Sequence, residues 1–111
     1  MVIDDYIPDR SDVIWLEFSP QSGHEQAGNR PALVISPKAY NYKVGLVIVC
    51  PITSKQKGYP FEVKVTGKIR GVILSDQVKS LDWKARNAKF IKKVNEKTFK
   101  AVQEKLLLLI E

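Results

Sequence analysis

Apolar residues fall in short, closely spaced runs along most of the chain and shift to a helical period only near its end. Val13-Ile14-Trp15-Leu16-Glu17-Phe18 predicts a first strand, and Ala32-Leu33-Val34-Ile35 a second, more completely buried one. Leu46 to Ile52 is a continuous apolar run between Gly45 and Thr53-Ser54, the pattern of a central strand whose pairing Pro51 limits near its end. Phe61-Glu62-Val63-Lys64-Val65 alternates, so one face is buried and the other wet. Gly71 to Leu74, Gln77 to Leu81 and Ala88 to Val94 complete a set of six or seven short strands. Ser36-Pro37 reads as a helix start, with Ser as cap and Pro in first position, and Gly45 ends that helix within about two turns. Asn95 caps a last helix in which Phe99, Val102, Leu106, Leu109 and Ile110 recur at three- and four-residue intervals, with Lys97, Lys100, Glu104 and Lys105 on the other side. Leu107 and Leu108 widen its apolar surface, either for burial on two sides or for a subunit contact. The expected fold is mainly β: a small, strongly bent antiparallel sheet or partial barrel with a C-terminal α-helix.

Length and composition narrow the setting. At 111 residues and 44% hydrophobic content, residues 1–111 read as one globular domain with a real core. No basic opening followed by an apolar run suggests a signal peptide, and Leu106 to Ile110 is far short of the ~20 residues of a spanning helix, so a soluble, cytoplasmic protein without membrane contact is expected. The single cysteine, Cys50, follows Leu46-Val47-Ile48-Val49 and reads as a buried apolar residue rather than a nucleophile. Net charge is +6, unevenly distributed. The first 36 residues carry six carboxylates against two arginines, and the remainder sums to +10. That asymmetry points to a polyanion-facing side, with a solvated basic face as the other reading.

Candidate chemistry gathers in Gly23-His24-Glu25-Gln26-Ala27-Gly28-Asn29-Arg30-Pro31, which joins the first two strands as a loop. A carboxylate and a guanidinium five positions apart can flank one phosphate; the plainer reading is a hairpin with an exposed ion pair. One histidine, one cysteine and no clustered ligand spacing leave zinc and iron without a protein cage, though carboxylates alone remain able to hold Mg²⁺. Neither G-x-G-x-x-G nor G-x-x-x-x-G-K occurs, so no nucleotide cofactor is implied, and none of another kind. The remaining set is Glu25, Arg30 and the Thr53-Ser54 hydroxyls. If strands two and three are antiparallel neighbours, Arg30 opens one where Thr53 closes the other. Arg can then hold a phosphate and stabilise developing charge, Thr53 can donate to a non-bridging oxygen, and Glu25 can exchange a proton. These parts suffice to cleave RNA through its own 2′-hydroxyl; Thr53 and Ser54 are also ordinary turn residues.

Four blocks carry a family resemblance: Gly23 to Pro31, Pro51-Ile52-Thr53-Ser54, Lys57-Gly58-Tyr59-Pro60-Phe61, and Asp76-Gln77-Val78-Lys79-Ser80-Leu81-Asp82-Trp83-Lys84-Ala85-Arg86. In this order they closely resemble the MazF/PemK toxins of type II toxin–antitoxin modules, nearer the MazF branch than the Kid/PemK branch. The resemblance implies an SH3-like barrel of the CcdB/PemK type, a homodimer, and a metal-independent endoribonuclease. Such an enzyme cuts single-stranded mRNA at short sequences and leaves 2′,3′-cyclic phosphate and 5′-hydroxyl ends. It implies catalytic roles for Glu25, Arg30 and Thr53, and an RNA-binding surface of Gln26, Asn41, Ser54, Lys57, Gln77 and Lys79. Some relatives carry His before the essential Arg; here that position is Asn29, and a histidine stands instead at His24. A MazE-like antitoxin with an acidic segment is the implied partner, with DNA met only indirectly through the antitoxin complex. Tyr40, Tyr42 and Tyr59 stand near basic loops where bases can stack, at least one of them being as well suited to the core. Two other readings stay open: a non-enzymatic, CcdB-like toxin that binds DNA gyrase, and a passive nucleic-acid-binding barrel.

Overall fold

The computed structural model describes residues 6–18 and 28–111. Its strands are β1 (Asp12–Phe18), β2 (Gly28–Val34), β3 (Leu46–Thr53), β4 (Glu62–Val65), β5 (Gly71–Leu74), β6 (Lys79–Asp82) and β7 (Lys89–Lys93), with helices α1 (Lys38–Val44) and α2 (Glu96–Ile110). The sheet runs β4-β5-β3-β2-β1-β7, every pairing antiparallel, and β6 also pairs with β3. β3 therefore has β2 on one edge and shares the other between two strands: Leu46 to Val49 face β6, and Ile52 and Thr53 face β5.

The central strands are buried on both faces, which is why their sequences read as unbroken apolar runs. One core contains Val13, Leu33, Cys50, Ile52, Val65 and Ile73, and α2 covers it with Phe99 and Val102. The other, on the opposite face, joins Ile14, Leu16, Phe18, Ala32, Val34, Val47, Val49 and Trp83. Between β1 and β7 the register slips, Val13 lying opposite Lys92 and Ile14 opposite Phe90, so that Ile91 is the extra residue of a bulge and packs on the first core. The outer strands approach each other through side chains. Lys92 Nζ donates to Thr66 O at 3.1 Å and Lys68 Nζ to Ile91 O at 3.5 Å.

Several boundaries move from their expected places for identifiable reasons. β2 begins at Gly28 rather than Ala32, because pairing with β1 extends from Val13–Leu33 to Phe18–Gly28 and carries the chain through Arg30 and Pro31. α1 is capped at Pro37, not Ser36. The Ser36 hydroxyl is occupied elsewhere, accepting from Ile48 N at 2.9 Å and donating to Asn41 Oδ1 at 2.5 Å. The strand expected from Gln77 starts at Lys79, since Gln77 N closes a turn onto Leu74 O at 3.1 Å. Asn95 caps α2 as expected, its Oδ1 accepting from Thr98 N at 2.8 Å. Phe99, Val102 and Leu106 form the buried stripe, whereas Leu109 and Ile110 are exposed along with Leu108. No helix among the described residues is long and apolar enough to cross a membrane.

Candidate active site

Arg30 and Thr53 are brought to the same end and face of the sheet by register. β2 pairs with β3 at Ala32–Pro51, Leu33–Cys50 and Val34–Val49. Continued two steps, that register sets Arg30 across from Thr53. Directly opposed residues share a face. The ladder stops short of that pair where Pro31, without a backbone N–H, would face Ile52, and where Ile52 and Thr53 pair with Ile73 and Val72 of β5. Lys79 joins the same face because it pairs with Val49, and its ammonium lies 6.0 Å from the ring centroid of Phe18. Leu16, opposite Arg30, and Phe18 form the apolar floor.

The Thr53 side chain is buried at 6% exposure, and its Oγ1 accepts from Lys55 N at 3.2 Å. With one acceptor site so used, the hydroxyl can still donate its own hydrogen. Gly71 seats this residue from behind. Its φ is 148°, and a Cβ built there would stand 2.2 Å from Thr53 O, so only glycine lets β5 close this tightly. Sequence reasoning treated Gly71 as a strand boundary and missed this role.

Of the surrounding expected residues, Ser54 and Lys57 are exposed on the loop after Thr53, and Gln77 is half-buried at the turn before β6. Among the described residues Gln77 Oε1 is buried without a hydrogen-bond donor, an acceptor available to a ligand N–H or O–H. Asn41 is different and corrects the expectation of a surface role. It is fully buried, its Nδ2 donates to Pro8 O at 2.8 Å and to Ser36 O at 3.1 Å, and its Oδ1 accepts from Ser36. Its backbone carbonyl accepts from Trp83 Nε1 at 2.9 Å. Asn41 is thus an internal tie, not a contact for RNA. Tyr59 is exposed on the Thr53 side. Tyr42 is also exposed but stands beyond the other end of β3, roughly 23 Å along the strand at a rise of ~3.3 Å per residue. There it lines an open groove with Tyr6, Trp83, Lys84 and Lys89. None of the three tyrosines is in the core. Glu25, Gln26 and His24 lie outside the described residues. Cys50 is fully buried, and burial followed by the nearby Asp76 charge pushes its thiol up to about 12, which removes it as a nucleophile.

The face thus offers a guanidinium, a hydroxyl and an ammonium around an apolar floor, suited to an oxyanion and to the base beside it. Residues 9–110 match the family of PemK-like, MazF-like toxins of type II toxin–antitoxin systems. The Escherichia coli K12 endoribonuclease toxin MazF is 55% identical over 84 residues, 75% of this chain and 76% of that protein. The crystal structure of MazF (Form-I) from Deinococcus radiodurans superposes with a TM-score of 0.91 at 47% identity, covering 96% of this chain and 98% of that one. MazF in the Form-II MazE–MazF crystal from the same organism gives 0.84 at 42% identity, covering 96% and 97%. With the family pattern spanning nearly the whole chain and the fold shared at this level, the chain belongs to the PemK-like, MazF-like toxins of type II toxin–antitoxin systems.

Proposed function

We propose that the chain is an endoribonuclease toxin of the cytoplasm that cleaves single-stranded mRNA at short sequences, without metal, and is restrained by a MazE-like antitoxin. The relatives named endoribonucleases support the activity, and the MazE–MazF crystals support the partner. The observation that supports the reading is the β2–β3 register, which, continued two steps, sets Arg30 across from Thr53 on the face that Lys79 shares.

In the reaction, Glu25 accepts the proton of the 2′-hydroxyl, the 2′-oxygen attacks the adjacent phosphorus, the P–O5′ bond breaks, and the departing 5′-oxygen takes a proton from solvent. The products are a 2′,3′-cyclic phosphate and a 5′-hydroxyl. Arg30, with a solution pKa above about 12, is a poor base and serves as the clamp on the non-bridging oxygens, where charge builds in the transition state. Thr53 donates its hydroxyl proton to one of them. Gln77, Lys79, Ser54 and Lys57 surround the strand, with Gln26 as a further contact. An acidic antitoxin segment competes for the same cations, and Coulomb attraction speeds that encounter. A homodimer completes the assembly, and DNA is met only through the antitoxin.

The test is cleavage of a long single-stranded RNA in EDTA with the fragment ends mapped, Arg30→Ala being run in parallel and both proteins shown folded by circular dichroism. Discrete cuts with 5′-hydroxyl ends that vanish in Arg30→Ala are expected. Intact RNA at stoichiometric, antitoxin-free protein overturns the reading in favour of gyrase binding or passive nucleic-acid binding.

A further inference from the structure

The segment between Thr53 and β4 leaves the site carrying Ser54, Lys55, Lys57 and Tyr59, all exposed. Its backbone is fastened from beneath. Glu62, the first residue of β4, turns its carboxylate back onto the loop: Oε2 accepts from Lys57 N at 3.1 Å and Oε1 from Gly58 N at 3.0 Å. The Glu62 N–H in turn donates to Tyr59 O at 3.1 Å, and from α2 Lys105 Nζ donates to Pro60 O at 2.7 Å. Four consecutive residues, 57–60, therefore each have a main-chain group held, two of them by one anionic acceptor. Gly58, at φ 81°, supplies the turn that lets both N–H groups point at the same carboxylate.

We propose that Glu62 is a positioning residue that sets the sequence preference of cleavage, an inference that rests on the endoribonuclease reading above. A single strand is read by stacking and edge contacts, and these discriminate between bases only if the reading groups are fixed before the strand arrives. Through its two-armed hold on residues 57 and 58, Glu62 gives the Lys57 ammonium and the Tyr59 ring one arrangement beside Thr53. Without the clamp the loop adjusts to several bases, and selectivity is lost before chemistry is. Arg30 and Thr53 are held by β2, β3 and β5, independently of this carboxylate.

The experiment compares kcat/KM on an RNA carrying the preferred site with kcat/KM on RNAs altered at single flanking bases, for the unaltered protein, Glu62→Gln and Glu62→Ala. Gln keeps one acceptor and turns a donor toward the other N–H; Ala removes both. The expected result is a fall of about tenfold in the preferred-to-altered ratio, with kcat on the preferred site within about threefold of the original. A purely structural role would lower all the rates together and leave the ratio unmoved. Lys105→Met, which releases Pro60 without touching the carboxylate, is expected to shift the ratio in the same direction by a smaller factor, and it serves should Glu62→Ala fail to fold. An unchanged ratio in Glu62→Gln and Lys105→Met, with the unaltered protein cutting normally, overturns the proposal. Intact RNA with the unaltered protein overturns the nuclease reading, and this proposal with it.

Discussion

Asn41 is polar and lies between two tyrosines, and its place on a contact surface rested on the family resemblance alone. Its partners explain why that reading failed. Pro8 stands 33 residues earlier and Trp83 42 residues later, so two of the bonds that draw Asn41 inward belong to tertiary structure and leave no local trace. Arg30 and Thr53, by contrast, were legible as a pair, because each marks the end of an apolar run and antiparallel pairing of those runs brings the ends together. Glu62 was legible only as the wet side of an alternating strand. The pattern gives a side chain's face, not its reach. For Asn41→Ala we expect a loss of about 3 kcal/mol in denaturant unfolding, since buried acceptors on Pro8 and Ser36 lose their donors. RNA affinity per folded molecule is expected to stay as it was.

Among the elements, Gly71 to Leu74 was read at its observed bounds and β3 to within one residue, since glycine and the Thr53-Ser54 pair punctuate them. The first half of β2 was not, because Gly28 and Pro31 are turn signals that the six-residue register with β1 overrides. α2 shows both outcomes in one helix: its cap and the stripe from Phe99 to Leu106 follow the sequence, while Leu109 and Ile110 in its last turn are exposed. Leu106→Ala is therefore expected to cost about 3 kcal/mol of folding stability. Leu109→Ser and Ile110→Ser should each change it by less than about 0.5 kcal/mol at low protein concentration. Denaturation at several protein concentrations checks both. A concentration-dependent loss confined to the last-turn variants assigns those residues to a subunit contact.

At the scale of the whole molecule, a buried thiol and a half-buried phenol tie stability to pH on the alkaline side. Burial and then Asp76 raise the Cys50 thiol from 9.0 to about 12. Burial, the hydrogen bond to Asp12, and the Asp12 and Asp9 charges all push the Tyr6 phenol upward from its ordinary 10.0. Tyr6 donates to Asp12 at 2.6 Å, and Lys93 meets the same carboxylate at 2.7 Å, so this phenol also anchors the chain ahead of β1 to β7. Both groups hold their protons more tightly folded than unfolded. Their contribution is thus intact below the ordinary pKa values and lost as pH rises through and beyond them. The urea midpoint is expected to fall between about pH 8 and about pH 11, and the decline to be shallower in Cys50→Ala/Tyr6→Phe.

Gly71 stands behind Thr53, and the core containing Val13 and Leu33 is completed by Phe99 and Val102. Translation delivers these parts in an unhelpful order: the arginine and threonine emerge early, the strand that backs the threonine later, and the covering helix last. Contacts between distant segments also form slowly once available. Arg30 and Thr53 thus wait on segments made after them: until β5 backs the threonine and α2 covers the core they have no fixed frame, and under the nuclease reading cleavage starts only once both are in place.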